Sequence, residues 1–311
     1  MSTMQKPIIV VGSINIDFVV TTSRIPLPGQ TVQGSDFQLH SGGKGANQAV
    51  AAARLGYPVQ MIGMVGSDLF GERMRAGLRD AGVDVRGVGI AEHPTGAAAI
   101  TVSAGGENTI VVAPGANAAV TPDHIERHRD AICHAGIVLA QLEIPMPSVE
   151  YLAQLCSRHD VPLMLDPAPA QTLAAGILPH VSWFTPNETE AAFFAEQIHP
   201  ELAGAEPRRL ADAFLRTGVG SVALKLGSRG VLLASNGTVV AVPAIHVEAV
   251  DSTAAGDAFN GAFAVALMLG RDAGEAARFA AAAAAISVTR RGAQPSMPDR
   301  EEVERLLQAQ R

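Results

Sequence analysis

The sequence predicts an α/β fold: a doubly wound, mostly parallel sheet flanked by helices, with a small β-sheet lid over the carboxyl ends of the main strands. Three observations carry this expectation. Short β-branched runs alternate with helical patterns along most of the 311 residues, the pattern of parallel strands joined by crossover helices. Two segments interrupt the alternation with hairpin-like patterns of their own. Hydrophobic residues make up 48% and charged residues 17%, ordinary globular usage that excludes disordered and fibrous architectures.

In chain order, IIVV at 8–11 reads as a buried strand. Residues 17–39 hold DFVVTT, a Pro/Gly turn at 25–29, and TVQGSDFQL, which is strand, turn and strand. Helical spacing follows at 44–55 and 69–81. Residues 95–113 contain AAAITVSA, a Gly-Gly-Glu-Asn turn and TIVVA, a hairpin pattern. Thr121 as N-cap with Pro122 at the first helical position opens a helix over 122–131. Strands at 137–140, 162–165, 183–185 and 222–226 then alternate with helices at 149–159, 188–196 and 208–217. The chain ends in helices at 256–269, 273–290 and 300–310, and the alanine run 280–285 is a tightly packed helix. The expected organisation is a single domain over 1–311, its lid built from insertions at about 14–42 and 95–117.

Composition narrows the function. The net charge of −7 disfavours a nucleic-acid partner, which calls for a basic surface. Aromatics are only 4%, so aliphatic residues must build the core. Cys133 and Cys156 lack metal-ligand spacing and fit a reduced, cytoplasmic protein. The longest apolar stretches, 262–270 and 279–288, fall short of the roughly 20 residues of a membrane span. The first residues are too weakly apolar for a signal peptide, so a soluble protein with no membrane partner is expected.

A P-loop is excluded, because Gly43-Lys44 is followed by Gly45 and its first glycine position holds Gln38. A loose G-x-G-x-x-A match at 218–223 precedes a strand where a dinucleotide turn must follow one. The run from Ser41 to Asn47 places Gly42, Gly43 and Gly45 around Lys44 at the start of a helix. There, free N–H groups can meet a ligand, although a plain tight turn uses the same residues. Asn15, Asp17 and Glu143 follow strands, where such folds place ligand-binding side chains. Between Asp251 and Gly261, small residues Ala254, Ala255 and Gly256 uncover amides at a helix start, an anion site suited to a transferring phosphoryl group. Asp257 in that first turn can take a proton from an attacking hydroxyl, or merely complement the helix dipole. Asn187 and Glu190 suit either contacts to phosphate-bound Mg²⁺ through water or a capping box. Residues 225–230 form a Gly-rich turn that can pass close to a nucleotide, and Phe259 and Phe263 at i,i+4 read as core.

These motifs occur in a recognisable order. The runs at 12–17, 42–48, 141–143, 185–190, 226–230, 254–257 and 289–296 together resemble the ribokinase family of sugar kinases, from about residue 8 to the C-terminus. The resemblance implies a ribokinase-like fold and ATP-dependent, Mg²⁺-requiring phosphorylation of the 5-hydroxyl of D-ribose. Kinases for deoxyribose, another sugar or a nucleoside are the alternatives, with a non-catalytic sugar-binding regulator as the rival of another class. Asn15, Asp17, Gly43, Lys44, Gly45, Ala46, Asn47 and Glu143 would hold the sugar, with Asp257 as base and Ala254, Ala255 and Gly256 as anion hole. Asn187, Glu190, Lys225, Leu226, Gly227, Ser228, Arg229, Gly230, Gly256 and Asp257 would line the ATP site. Asp251, Thr253, Ser287, Arg290, Gly292 and Ser296 would surround K⁺, mostly through carbonyls, and the lid would pair two copies into a homodimer. Two positions depart from the family pattern: Ala281 stands where His is expected beside the adenine, and Lys225 where Thr is usual.

Overall fold

A computed structural model describes residues 5–174, 176–235 and 237–310. Its strands are β1 (Ile8–Val11), β2 (Asn15–Thr22), β3 (Gly34–Gly42), β4 (Val59–Gly66), β5 (Asp84–Ala91), β6 (Gly96–Ser103) and β7 (Asn108–Ala113) in the first half. The second half adds β8 (Ile137–Ala140), β9 (Leu163–Leu165), β10 (Trp183–Phe184), β11 (Ser221–Lys225), β12 (Val231–Ser235) and β13 (Thr238–Val242). They form a nine-stranded sheet of order β13-β12-β11-β10-β9-β8-β1-β4-β5 and a separate four-stranded sheet of order β3-β2-β6-β7. Every pairing from β11 to β5 is parallel, and β12 and β13 add on antiparallel.

The period of two along β1 sorts the core. Ile8 and Val10 join one buried cluster, whereas Ile9 and Val11 join the other. On the first side lie α1 (Lys44–Arg54), α2 (Leu69–Asp80), α8 (Ala255–Met268), α9 (Ala273–Val288) and α10 (Arg300–Ala309). On the second lie α3 (Pro122–Arg127), α4 (Arg129–Cys133), α5 (Met146–Arg158), α6 (Glu188–Ile198) and α7 (Pro207–Arg216). Helix α8 is buried without a break from Asp257 to Ala266, and its small residues let α1 and α9 approach closely: a Cβ on Gly261 would stand 2.8 Å from the Gln48 carbonyl oxygen of α1.

Several boundaries differ from expectation for identifiable reasons. The helix expected over 122–131 divides at His128, whose amide makes an i→i−3 bond to the Ile125 carbonyl and closes α3. The α8 helix begins at Ala255, behind Ala254 in the left-handed conformation (φ 59°). The α9 helix stops at Val288, with Thr289 as its C-cap. Four strands escaped the sequence pattern: β4, β5, β12 and β13. In β4 and β5 glycines interrupt the apolar run, and packing demands them, since a Cβ on Gly87 would lie 2.6 Å from the Met61 carbonyl oxygen.

The four-stranded sheet comes from the two segments that broke the alternation. Phe18 of β2 stacks on Phe37 of β3 and meets Phe70 of α2 edge-on at 5.3 Å, which seats the sheet beside the main body. Its last strand, β7, is exposed along its whole length and presents Ile110, Val111 and Val112. No helix among the described residues is long and apolar enough to cross a membrane.

Candidate active site

Asp257 sits in the first turn of α8, 5% exposed, facing α1. Asn47 Nδ2 donates to its Oδ2 at 3.0 Å, and Gln48 Nε2 to its Oδ1 at 3.1 Å. Burial drives the carboxyl up to about 6; the Lys44 ammonium and these two donors work against burial, and nearby Asp166 reinforces it. A carboxylate with that proton affinity suits proton abstraction near neutral pH. Burial alone would depress Lys44, yet Asp257, Asp166, Glu143 and Glu190 around it raise it, so the ammonium stays charged at the centre of the acidic set.

At the turn expected to form the anion site, one amide is taken. The Ala255 amide donates to the Ser252 carbonyl at 3.2 Å, so it is not free for a ligand as expected. Among the described residues, the Ala254, Gly256 and Asp257 amides donate no hydrogen bond, so two of the three expected donors stay uncovered and the Asp257 amide joins them. Glycine keeps this spot open: nothing but Lys225 Nζ, at 3.4 Å, comes near a Cβ placed on Gly256.

The Gly-rich turn before α1 offers fewer free amides than expected. Three of its amides are already engaged: Lys44 N–H bonds Glu143 Oε2, Gly45 N–H bonds Ser13 Oγ, and Ala46 N–H bonds the Ser13 carbonyl. They therefore do not point at a ligand, and Ala46 is fully buried. Gly43 needs its positive φ of 87°, and a Cβ there would lie 2.7 Å from the Asn15 amide nitrogen. The tight turn clamps α1 against β2 and delivers the side chains of Lys44 and Asn47 to the site.

Asn15 and Asp17 lie within β2 of the small sheet, so that sheet supplies part of the polar set. Asn15 Nδ2 donates to Glu143 Oε2 at 3.4 Å, and Asn15 Oδ1 accepts from Asn117 Nδ2 at 2.7 Å. Asn117, buried and also bonded to the Ile14 backbone, has no counterpart in the sequence reading. Asp17 is pushed up to about 7 by burial first, then by Glu143 and Asp257, against the pull of Lys44. Gly42 leaves room for it, because a Cβ there would fall 2.2 Å from Asp17 Oδ2.

On the other side of Asp257 opens a cleft of about 560 Å³. Asn187, Glu190, Gly227, Ser228 and Gly230 line it, as do Ala281 and the backbone turn at Ala254–Gly256, with Ala244, Ile245, His246, Val247 and Ala249 as a wall that the sequence reading did not assign. Leu226 and Arg229 do not line it, and Arg229 turns outward to pair with Glu188. Asn187 and Glu190 form a capping box on α6 and face the cleft as well. Lys225 does not point to solvent: it lines the cleft, where its Nζ pairs with Asp166 Oδ1 at 2.9 Å. Asp166, just past β9, was missed, although an acidic residue at the carboxyl end of a parallel strand is the signal that finds it.

The residues expected around K⁺ lie on two adjoining loops, apart from Ser287 in the last turn of α9. Asp251 bridges them, accepting from the Thr253 amide through Oδ1 and from the Gly292 amide at 2.8 Å through Oδ2. Burial opposes its charge, but these bonds hold its carboxyl below the usual range. The Ser287 and Ser296 hydroxyls bond the Ala284 and Ala293 carbonyls, and Arg290 pairs with Glu302. The two hydroxyl protons and the guanidinium are thus spent within the chain.

A doubly wound sheet, a buried carboxylate at a helix N-terminus, free amides beside it and a cleft opening onto them are the parts of a small-molecule phosphotransferase. Comparison with known proteins gives the particular lineage. Residues 5–300 match the family model described as pfkB family carbohydrate kinase, and the chain belongs to that family. It is 43% identical over 305 residues to a ribokinase of Bacillus subtilis, covering 97% of this chain and 100% of that one. A solved ribokinase of Thermotoga maritima superposes with a TM-score of 0.92 at 39% identity, covering 97% of this chain and 99% of that one. The Arabidopsis thaliana ribokinase complexed with ribose and ATP gives 0.90 at 36% identity, covering 98% and 99%.

Proposed function

We propose that this chain transfers the γ-phosphoryl group of ATP to the primary 5-hydroxyl of D-ribose. The observation that carries the reading is the position of Asp257, between a polar set of sugar-hydroxyl partners (Asn15, Asp17, Asn47, Glu143) and a nucleotide-sized cleft. The relative complexed with ribose and ATP supports the same pair of substrates. In the reaction, the sugar hydroxyl gives its proton to Asp257 while its oxygen bonds the γ-phosphorus. The bond from that phosphorus to the bridging oxygen breaks, ADP leaves, and the Gly256 and Asp257 amides hold the charge on the equatorial oxygens.

Among the described residues no three His, Cys, Asp or Glu side chains converge on a metal. Asn187 and Glu190, on the cleft wall, would hold through its waters a Mg²⁺ that arrives on ATP. When bound, Mg²⁺ neutralises charge on the β- and γ-phosphates. A K⁺ beside Asp251 would draw on carbonyls of the two joined loops and brace the α8 turn from behind. A cytoplasmic location agrees with the two free cysteines.

The test is ADP release with a panel of sugars and nucleosides. Ribose should be used best, and activity should rise several-fold when K⁺ replaces Na⁺ at constant ionic strength, a response that Asp251→Ala flattens. Equal rates in the two salts remove the cation site. Preference for deoxyribose or a nucleoside changes the substrate, and no turnover with bound ribose leaves a sugar-binding regulator.

The small sheet is proposed as a moving lid, because closure would keep water from competing for the γ-phosphate. Hydrogen exchange in residues 14–42 and 95–117 should slow on adding ribose. Unchanged exchange with ribose bound rules out the motion. A second copy paired through the same sheet would cover the exposed β7 and its apolar side chains, giving a homodimer.

A further inference from the structure

Lys225 ends β11 with its side chain only 13% exposed and its Nζ 2.9 Å from Asp166 Oδ1. Asp166 is its only acceptor among the described residues, so two of the three ammonium donors are left over. The ammonium borders the open spot over Gly256 and lines the cleft together with Asp166 and Asp257. Asp166 does not stop at Lys225. Its Oδ2 accepts from Gln48 Nε2 at 2.9 Å, the same amide nitrogen that donates to Asp257 Oδ1. Gln141 Nε2 donates to Gln48 Oε1 at 2.8 Å, which fixes the end of the Gln48 amide that faces the two carboxylates. A continuous polar chain therefore runs from the lysine to the base.

We propose that Lys225 is a catalytic residue that contacts the oxygens of the transferring phosphoryl group above the Gly256 and Asp257 amides. Asp166 and Gln48 are positioning residues that keep this cation in register with Asp257. The proposal rests on the kinase reading of the cleft. Its logic is electrostatic: a lysine is a point charge suited to phosphate, and a carboxylate partner holds it in place before substrate arrives. Charge fixed where the transition state needs it requires no reorganisation during the reaction. If the lysine served only to neutralise Asp166, it would have no reason to face the cleft with donors unused.

Two variants test this, Lys225→Met and the double variant Asp166→Asn/Lys225→Met, in which no carboxylate is left without its partner. Lys225→Met should lower kcat by ~10²-fold, the usual loss for one such donor. It should also weaken binding of a non-hydrolysable ATP analogue about tenfold, while leaving adenosine and ribose affinity unchanged. The double variant should stay at least ~10-fold slow, because restoring neutrality does not restore a phosphate contact. Wild-type kcat and analogue affinity in Lys225→Met, or recovery of wild-type turnover in the double variant, would overturn the proposal. Should the single variant fail to fold, the double variant decides alone. Wild-type ADP release with ribose reports separately on the kinase reading, and the analogue titration decides Lys225 whichever sugar is the substrate.

Discussion

Replacing Asp257 with Asn is expected to cut turnover by ~10²–10⁴-fold, the range for losing a general acid–base group. The side chain keeps its size, and the fold should survive. One of the donors from Asn47 and Gln48 will face the new NH₂ group, at a cost of about 1 kcal/mol, small beside the stability of a whole domain. Calorimetric ribose affinity should therefore stay near wild type while single-turnover phosphorylation slows. The wild-type profile carries a second signature. With the Asp257 carboxyl at about 6, kcat should be flat above that pH and fall about tenfold per unit below it, as the base becomes protonated. Turnover at the wild-type rate in Asp257→Asn would mean that positioning alone runs the reaction.

Removing Asp17 should act on sugar binding instead. An ionised carboxylate accepting from two neighbouring hydroxyls makes two charge-assisted bonds of ~1.5 kcal/mol or more each, so Asp17→Ala should raise KM for ribose by roughly 10²-fold. The effect on kcat should be much smaller, because Asp17 is remote from the phosphorus in the proposed reaction. Protonation mimics the variant in part: with Asp17 at about 7, KM for ribose should climb as pH falls below 7, a unit before kcat declines. Equal use of 2-deoxyribose and ribose would show that Asp17 does not read the 2-hydroxyl.

The sequence was legible where one local pattern decides the outcome. The run IIVV at β1, the Thr121-Pro122 helix start and the two hairpin insertions each state their structure within a few residues, and the structure agrees. Asp257 was legible for the same reason, since a helix start, small residues and a carboxylate are adjacent in the chain. Strands β4 and β5 were not, because their glycines answer to neighbours across the sheet and weaken the local apolar signal. Nor were the contacts that complete the site. Gln48 and Asp166 are 118 positions apart, and Asn15 and Asn117 are 102 apart. Such pairs exist only after the sheet has brought strand ends together. The amides of residues 44–46 misled for a related reason: their acceptors, Ser13 and Glu143, arrive from distant or separate elements.

The burial of Asp17 and Asp257 also links reactivity to folding. Both carboxyls hold their protons more tightly in the folded chain than in the unfolded one, where they return to their ordinary range. Between roughly pH 4 and 7 the native state therefore binds more protons than the unfolded state, and these two groups make folding less favourable as the pH rises. Their contribution is fully present below the unfolded values and gone once the pH has passed the folded ones. The conditions that ionise the proposed base and the proposed sugar acceptor are thus those in which these same residues stabilise the empty protein least, and a bound sugar that engages them would return part of that loss.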